Sequence, residues 1–386
     1  MSNEMIPFGR PMLDQTEIDA VLKVLSGPIL AHGPVCGEFE TAFAERAGAE
    51  HAITVSSGTA GLHLCLFAND VGPGDEVIVP AITHVATAHA AEYCGATPVF
   101  VDVDPANGNI APVGVAAALT ERTRAVMVVH FLGLPCEMDR INADADKAGA
   151  FVIEDAALAV DATYGGKKAG TLAKAGCFSF YPIKHMTSIE GGMVTTNDAK
   201  FANQIRKRKA FGYDRSHETR VKPGIYDVTM LGYNYRMNEV EAAVGLAQLY
   251  KLDERLKIRE HNYHALKNAL AELEEVTVFE PTQGKAQSCF YCLNAVLPRD
   301  GSLDRDAIAA DLKAANIGTS VHYPGAVPLM TYYREKYGYR AGQFPVAEWL
   351  AAQTISLPVA PHVPDDFAER IGTAMKDAIF KARKVR

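Results

Sequence analysis

Short runs of apolar, often β-branched residues alternate with longer Ala- and Leu-rich stretches across residues 51–196. Most of these runs are nearly continuous in apolar residues, as expected for strands that are buried on both faces. A helix between successive strands is typical of a mostly parallel sheet with right-handed connections. The pattern predicts strands over His51–Ser57, Glu76–Pro80, Pro98–Val103, Ala125–Phe131, Phe151–Glu154, Cys177–Tyr181 and Met193–Thr196. It predicts helices over Thr59–Asn69, Val85–Cys94, Pro112–Leu119 and Met138–Ala148.

The pattern changes after the Gly191-Gly192 pair. A helix is predicted over Asp198–Lys209, and a polar loop from Gly212 to Asn234 follows it. A long helix with a bend, ending near Leu273, is then predicted from apolar residues at helical spacing, which are Val240, Ala243, Val244 and Ala247. The remaining elements are predicted strands over Val276–Phe279, Phe290–Leu297 and Thr319–Tyr323 and a predicted helix over Asp304–Ala315.

These elements predict an α/β protein with two domains. Residues 1–250 are expected to form a large domain with an N-terminal arm and a mostly parallel seven-stranded sheet between helices. Residues 251–386 are expected to form a smaller C-terminal α+β domain. The chain length of 386 residues supports the division, because a single hydrophobic core usually stops growing at roughly 250–300 residues.

Composition and charge exclude several classes of protein. With 48% hydrophobic and 22% charged residues the chain is not disordered. The net charge of −8, with only short basic runs such as residues 206–209 and Lys381–Arg386, disfavours a nucleic-acid partner. Of the seven cysteines, Cys289 and Cys292 alone have CxxC spacing, and no second pair or nearby histidine completes a ligand set, so neither a metal site nor a disulfide framework is expected. With no apolar run of membrane-spanning length and no signal peptide, the expected location is cytoplasmic.

Three segments could carry chemistry. Ser57, Gly58 and Thr59 join a strand end to a helix start, where exposed N–H groups favour an anion, although Ser and Thr are common helix caps with nothing bound. Asp155 ends an apolar strand and could bind a metal, a ribose hydroxyl or a protonated ring nitrogen, or simply cap a helix. Lys184 follows a strand amid aromatic residues, where a depressed pKa and Schiff-base chemistry become possible, although most lysines are solvated.

Together these segments describe one site. A phosphate cradle that includes Ser179, a carboxylate at a strand end, and a lysine 29 residues further on (184 − 155) are what pyridoxal 5′-phosphate requires. The lysine would form the imine, and the carboxylate would keep the pyridine nitrogen protonated so that the ring accepts electrons. A fourth segment, Tyr233–Glu239, could be a functional polar turn or only an N-cap at Asn238.

The same residues resemble the DegT/DnrJ/EryC1/StrS aminotransferases, which are pyridoxal-phosphate-dependent transferases of fold type I. The resemblance covers nearly the whole chain, and its motifs are Gly33-Pro34, Glu38-Phe39-Glu40, Ser56–Ala60, Gly72–Pro80, Gly95–Asp102, Glu154–Ala157, Phe178–Gly192, Tyr233–Met237 and Phe344–Glu348. It implies that Lys184 forms the imine, that Asp155 pairs with the pyridine nitrogen, and that Gly58, Thr59 and Ser179 bind the phosphate.

The resemblance also makes predictions about the partner subunit and the cofactor ring. Asn234 matches an asparagine that reaches the phosphate of the neighbouring subunit, which implies a homodimer with shared sites. His84 stands where many members have an aromatic residue stacked on the ring. Two positions depart from the family pattern. Leu158 replaces a polar residue near the ring hydroxyl, so cofactor tuning is expected to differ, and Asp161 replaces a glycine.

By this resemblance the protein is a ping-pong aminotransferase. Its expected donor is L-glutamate, and its expected acceptor is a 3-keto or 4-keto nucleotide-activated deoxysugar. The acceptor's diphosphate requires local cations, for which the candidates, each equally compatible with a solvated surface position, are Arg215, His217, Arg220, Arg236 and His322.

Three alternative functions differ from this one. The acceptor could be a cyclitol or another carbocyclic ketone. A sugar 3-dehydratase typically has histidine at the lysine position, so Lys184 argues against that activity. A cofactor-binding regulator without turnover is disfavoured because no helix-turn-helix region is evident and the catalytic positions are all present.

Overall fold

A seven-stranded sheet forms the centre of the structure, a computed structural model that describes residues 4–31, 33–214 and 225–384. The strands of this region are β1 (His51–Val55), β2 (Glu76–Pro80), β3 (Thr97–Val101), β4 (Thr123–Val129), β5 (Phe151–Asp155), β6 (Thr163–Tyr164), β7 (Lys167–Lys168), β8 (Ala175–Ser179) and β9 (Gly192–Thr196). The sheet order is β1-β9-β8-β5-β4-β2-β3. Only β9 runs antiparallel to its neighbours, so the predicted α/β class and mostly parallel sheet are confirmed.

Both faces of this sheet are packed. Val77 and Val79 belong to one apolar cluster, whereas the intervening Ile78 belongs to another. Successive side chains of a strand point to opposite faces, which is why the strands are apolar without alternation. The helices of this part are α1 (Gln15–Leu25), α2 (Pro34–Ala47), α3 (Gly58–Phe67), α4 (Val85–Tyr93), α5 (Pro112–Ala118), α6 (Met138–Lys147) and α7 (Ala199–Arg208).

The C-terminal part combines further helices with short antiparallel strands. Its helices are α8 (Glu239–Tyr250), α9 (Leu252–Leu270), α10 (Arg305–Ala314), α11 (Thr331–Tyr337), α12 (Pro345–Gln353) and α13 (Phe367–Lys384). Its strands are β10 (Thr277–Val278), β11 (Thr282–Gln283), β12 (Ala286–Gln287), β13 (Leu293–Val296) and β14 (Thr354–Leu357). The sheet β10-β13-β14 packs with α9, α10 and α13, while β11 and β12 pair with β6 and β7. The predicted bend in the long helix lies at Lys251, between α8 and α9.

Two elements of the C-terminal part differ from the prediction. Residues Thr319–Tyr323 form no regular strand, and only Ser320 bridges to Ser356. That bridge adjoins β14, which was not predicted because α12 runs directly into it at Thr354 without a turn residue. The domain division at residue 250 stays a prediction, and the apolar cluster around Leu266 also includes Ile6 of the N-terminal arm.

The start of α8 is attached to the start of α2 by one buried carboxylate. Glu239 accepts hydrogen bonds from the N–H groups of Gly33, Val35 and Cys36 at 2.9–3.0 Å. A Cβ on Gly33 would lie 2.6 Å from a Glu239 oxygen, so a larger residue here would displace the Glu239 carboxylate. Glu239 therefore fixes the end of the Tyr233–Met237 motif. No helix among the described residues is long and apolar enough to cross a membrane.

Candidate active site

A cavity of about 430 Å³ lies where β5 and β8 end and where α3 and α4 begin. In open α/β sheets, ligands bind beyond the carboxyl ends of the strands. The residues that line the cavity are Ser57, Gly58, Thr59, Leu62, His84, Ala86, Val129, Asp155, Ala157, Leu158, Ser179, Tyr181, Ile183, Lys184, Glu190, Tyr291, His322 and Tyr323. The cavity thus brings together most of the site residues that the sequence predicted.

The start of α3 forms one end of the cavity. Ser57 is the N-cap, and its hydroxyl accepts the Ala60 N–H at 3.1 Å. The first turn of a helix leaves its leading N–H groups without intrahelical partners, and here these belong to Gly58 and Thr59. A Cβ on Gly58 would lie 3.1 Å from the Ser179 Cβ, so glycine lets the two segments approach closely. This end therefore suits an anion such as phosphate.

Asp155 lies at the end of β5 and is only 5% exposed. Its carboxylate accepts the Thr87 hydroxyl at 2.8 Å and the Ala157 N–H at 3.2 Å. The neighbouring Glu154 has a different environment, because its carboxylate accepts hydrogen bonds from Gly170, Leu172 and other groups outside the cavity lining. Of the two adjacent acids, only Asp155 is available to a ligand in the cavity.

Lys184 brings its amine to the same cavity. The amine lies 5.5 Å from the centre of the Tyr291 ring. Burial lowers the pKa of the Lys184 amine to about 8, while the negative charge of Asp155 opposes that shift. With this pKa about a tenth of the amine is neutral at pH 7, far more than for an exposed lysine, and the neutral amine is a nucleophile and a proton acceptor.

Two histidines line the cavity without serving as strong cations. Partial burial lowers the pKa of His84, which caps α4 and lies 6.0 Å from Tyr323 between ring centres. Burial lowers the pKa of His322 to about 3, and its Nδ1 lies 2.8 Å from the Ser356 hydroxyl. Burial therefore favours a neutral imidazole at His322, and its part in binding the acceptor stays a prediction.

The remaining predicted residues do not line this cavity. Asn234 is exposed, and its side-chain oxygen accepts the Arg236 Nε–H at 2.9 Å. The Arg236 guanidinium also lies 5.0 Å from the Phe211 ring centre. Neither Asn234 nor Arg236 contacts the cavity of its own chain. Arg215, His217 and Arg220 lie outside the described residues.

Several residues of this site were not predicted from the sequence. Tyr291 and Tyr323 form part of the cavity wall, and burial raises the pKa of both phenols. Thr83 and Thr87 are fully buried beside Asp155. The four-residue spacing of Thr83 and Thr87, which places two hydroxyls on one side of a helix start, was a usable signal. Nothing local to Tyr291 or Tyr323 shows that these distant segments meet Lys184.

The residues of the cavity fit pyridoxal phosphate. The start of α3 and Ser179 suit the phosphate, and Asp155 offers an acceptor for a protonated ring nitrogen. The Lys184 amine lies in the same enclosed space. Leu158 is buried in the lining and cannot donate a hydrogen bond. Among the residues with described coordinates, no cluster of three potential metal ligands occurs.

Comparisons with known proteins agree with this chemistry. The DegT/DnrJ/EryC1/StrS aminotransferase family model matches residues 11–376. The spore coat polysaccharide biosynthesis protein SpsC of Bacillus subtilis is 38% identical over 381 residues, with 98% of each chain covered. The pyridoxal-phosphate form of the putative sugar aminotransferase Spr1654 from Streptococcus pneumoniae has a TM-score of 0.91 at 26% identity, covering 98% of this chain and 99% of that one.

A third similar protein is DesI, whose structure was determined in the presence of its TDP-sugar product. It has a TM-score of 0.88 at 31% identity, and the match covers 100% of this chain and 95% of DesI. These matches confirm the predicted family, the fold and the cofactor. The chain belongs to the DegT/DnrJ/EryC1/StrS family and is a pyridoxal-phosphate-dependent aminotransferase.

Proposed function

We propose that this enzyme transfers an amino group from L-glutamate to the keto group of a nucleotide-activated deoxysugar. The observation that carries the proposal is the single cavity that holds the Lys184 amine, the Asp155 carboxylate and the start of α3. Two comparisons support a sugar acceptor: one similar protein acts in spore coat polysaccharide biosynthesis, and another was studied with a TDP-sugar product.

Each part of the cavity has a proposed role. Gly58, Thr59 and Ser179 bind the cofactor phosphate, with Ser57 capping the helix that presents them. Asp155 accepts a hydrogen bond from the protonated ring nitrogen. Pyridoxal phosphate, when bound, supplies an electron sink for the reacting carbon.

Lys184 is proposed to hold the cofactor covalently and then to act as general base and acid. Once displaced by the donor, its amine takes the proton from the donor α-carbon and delivers it to the cofactor carbon. The lowered pKa of Lys184 supports this role, because a proton acceptor works best when its pKa is near the working pH. His84 is proposed to pack against the cofactor ring at the start of α4.

The acceptor's diphosphate must meet cations that this cavity does not supply. In the described part of the chain, the lining contains Lys184 but no arginine. We propose that a second subunit completes the site, with Asn234 reaching the partner's phosphate and Arg236 remaining a candidate for the acceptor. Exposed apolar side chains near both segments support such an interface: Tyr181, Ile189, Phe211 and Leu231 are 46%, 50%, 37% and 68% exposed.

The test follows the two half-reactions by absorbance. L-glutamate should convert the loaded enzyme to its amino form, and a keto-sugar nucleotide should restore the original spectrum. Lys184→Ala should abolish the glutamate step, whereas Lys168→Ala, which removes a lysine bonded to Asp161 away from the cavity, should not. Recovery with a cyclitol ketone but with no sugar nucleotide would replace the proposed acceptor. Glutamate turnover by Lys184→Ala would overturn the mechanism.

A further inference from the structure

A chain of buried hydroxyl groups leads to the Asp155 carboxylate. The Thr83 and Thr87 hydroxyl oxygens lie 2.8 Å apart, and the Thr87 oxygen lies 2.8 Å from Asp155 Oδ2. The two threonines are 1% and 0% exposed. Water is therefore not available to replace these hydrogen bonds, and losing one leaves a buried polar group without its partner.

The direction of these hydrogen bonds follows from the carboxylate to which they lead. An ionised carboxylate can only accept, so the Thr87 hydroxyl proton points to Asp155. The Thr83 hydroxyl must then donate to the Thr87 oxygen, because the only proton of Thr87 is already committed. On its other side the Asp155 carboxylate accepts the Ala157 N–H at 3.2 Å. The carboxylate is thus held at both oxygens, with lone pairs left for a ligand.

The same helix start supplies both Thr87 and a cavity wall. His84 caps α4, and its carbonyl accepts the Thr87 N–H at 3.2 Å. One turn of backbone therefore sets the His84 ring at the cavity and the Thr87 hydroxyl on Asp155. A shift of α4 would move both groups together.

We propose that Thr87 is a positioning residue for the cofactor ring. Its hydroxyl holds Asp155 in the orientation that accepts the proton of the ring nitrogen, and Thr83 fixes the direction of that hydroxyl. The inference rests on the proposed role of Asp155. Thr87 itself touches neither the cofactor nor the substrate, since it does not line the cavity.

The test compares two cofactors that differ only at the ring nitrogen. Apoenzyme variants are titrated with pyridoxal 5′-phosphate and with 1-deazapyridoxal 5′-phosphate, in which a C–H group replaces the nitrogen. Thr87→Val should weaken binding of the first about tenfold, the size of one hydrogen bond to a charged group. Binding of the deaza compound should change by less than about twofold, because it places no proton on Asp155. Thr87→Ser, which keeps the hydroxyl, should restore the native dissociation constant.

Control variants separate this role from a general loss of structure. Thr354→Val removes an equally buried hydroxyl, which donates to Leu350 at 2.8 Å away from the cavity, and should leave both dissociation constants unchanged. Thr83→Val should weaken pyridoxal phosphate binding less than Thr87→Val does. It should leave the dissociation constant of the deaza compound unchanged. If Thr87→Val does not fold, Thr83→Val and Thr87→Ser still test the proposal.

The variants distinguish failure of the proposed role of Thr87 from failure of the proposed role of Asp155. Equal weakening of both cofactors by Thr87→Val, or by Thr83→Val, would overturn the positioning role and leave a purely structural one. A separate measurement tests the proposed role of Asp155 itself. Asp155→Ala should weaken the binding of pyridoxal phosphate far more than the binding of its deaza analogue. If Asp155→Ala affects the two equally, the assignment of Asp155 in the proposed function fails, whatever the threonine variants show.

Discussion

The amine of Lys184 combines two opposing influences. Burial among apolar and aromatic groups favours the neutral amine, because the charged form loses its hydration. The carboxylate of Asp155 in the same cavity favours the charged form. Burial has the larger effect, and the pKa of Lys184 is lowered to about 8 from the 10.5 of an ordinary lysine. The residue is therefore prepared for nucleophilic attack before any ligand arrives.

This balance predicts a pH dependence for cofactor capture. The rate at which apoenzyme forms a covalent bond with pyridoxal phosphate should rise with pH, with its midpoint near 8 and a plateau at higher pH, because only the neutral amine attacks. Asp155→Asn should move the midpoint to lower pH, since it removes the charge that raises the Lys184 pKa. Stopped-flow absorbance across about pH 6 to 10 measures both. A rate that keeps rising towards the pKa of an exposed lysine would contradict the prediction.

Individual residues differ in how well the sequence alone predicts them. Asp155 ends one apolar strand and Lys184 lies shortly after another, and the ends of parallel strands meet at one edge of the sheet, so their meeting was predictable. The lowered pKa of His322 was not predictable from the sequence, because it depends on burial by segments far away along the chain. Tyr291 was missed for the same reason, since only tertiary structure brings it to Lys184.

At the scale of elements, β9 passes directly behind the start of α3. A Cβ on Gly192 would lie 2.6 Å from the Gly58 nitrogen and 2.7 Å from the Phe178 carbonyl oxygen. These neighbours are backbone atoms, which cannot rotate away as a side chain could. The Gly191-Gly192 motif is thus explained by close packing of a strand against the proposed phosphate cradle.

Gly192→Ala should consequently displace the start of α3, where the cofactor phosphate is proposed to bind. We expect the apoenzyme to bind pyridoxal phosphate at least about tenfold more weakly and to unfold at a lower temperature, because overpacking of this kind costs about 1–3 kcal/mol. Gly37→Ala provides the matched control, since a Cβ there meets no atom within 4 Å and Gly37 lies inside α2. That variant should bind normally and gain up to about 1 kcal/mol in unfolding free energy. Native binding by Gly192→Ala would contradict the packing argument.

The elements themselves were predictable to different degrees. The strands of the central sheet were found because burial on both faces produces continuous apolar runs, as in β2. The strand β14 was missed because Thr354–Leu357 is short and directly continues α12. The segment Thr319–Tyr323 has a strand-like composition but pairs only through Ser320. Pairing partners, and not composition, decide such short segments.

For the whole molecule, net charge says little about the site. The chain carries a charge of −8, yet the proposed phosphate cradle is a helix start whose N–H groups attract an anion locally. The surface is more informative. Helix α1 leaves Ile18, Leu22 and Leu25 more than half exposed, at 51%, 54% and 57%. Apolar residues at this spacing on one helix face, together with those around Tyr181, support the proposed contact with a second subunit.

A shared site makes a specific prediction for mixed dimers. If Asn234 acts across the interface, a heterodimer of one Lys184→Ala subunit and one Asn234→Ala subunit contains one site with both native residues and one with neither. Purified by two different tags, it should show about half the native glutamate half-reaction and bind pyridoxal phosphate with native affinity at one site. A heterodimer of wild type and Lys184→Ala, which also has one native site, is the reference. If Asn234 instead acts within its own chain, each site of the mixed dimer lacks one of the two residues. Activity no higher than that of the Asn234→Ala homodimer would then contradict the proposal that Asn234 acts in the neighbouring subunit's site.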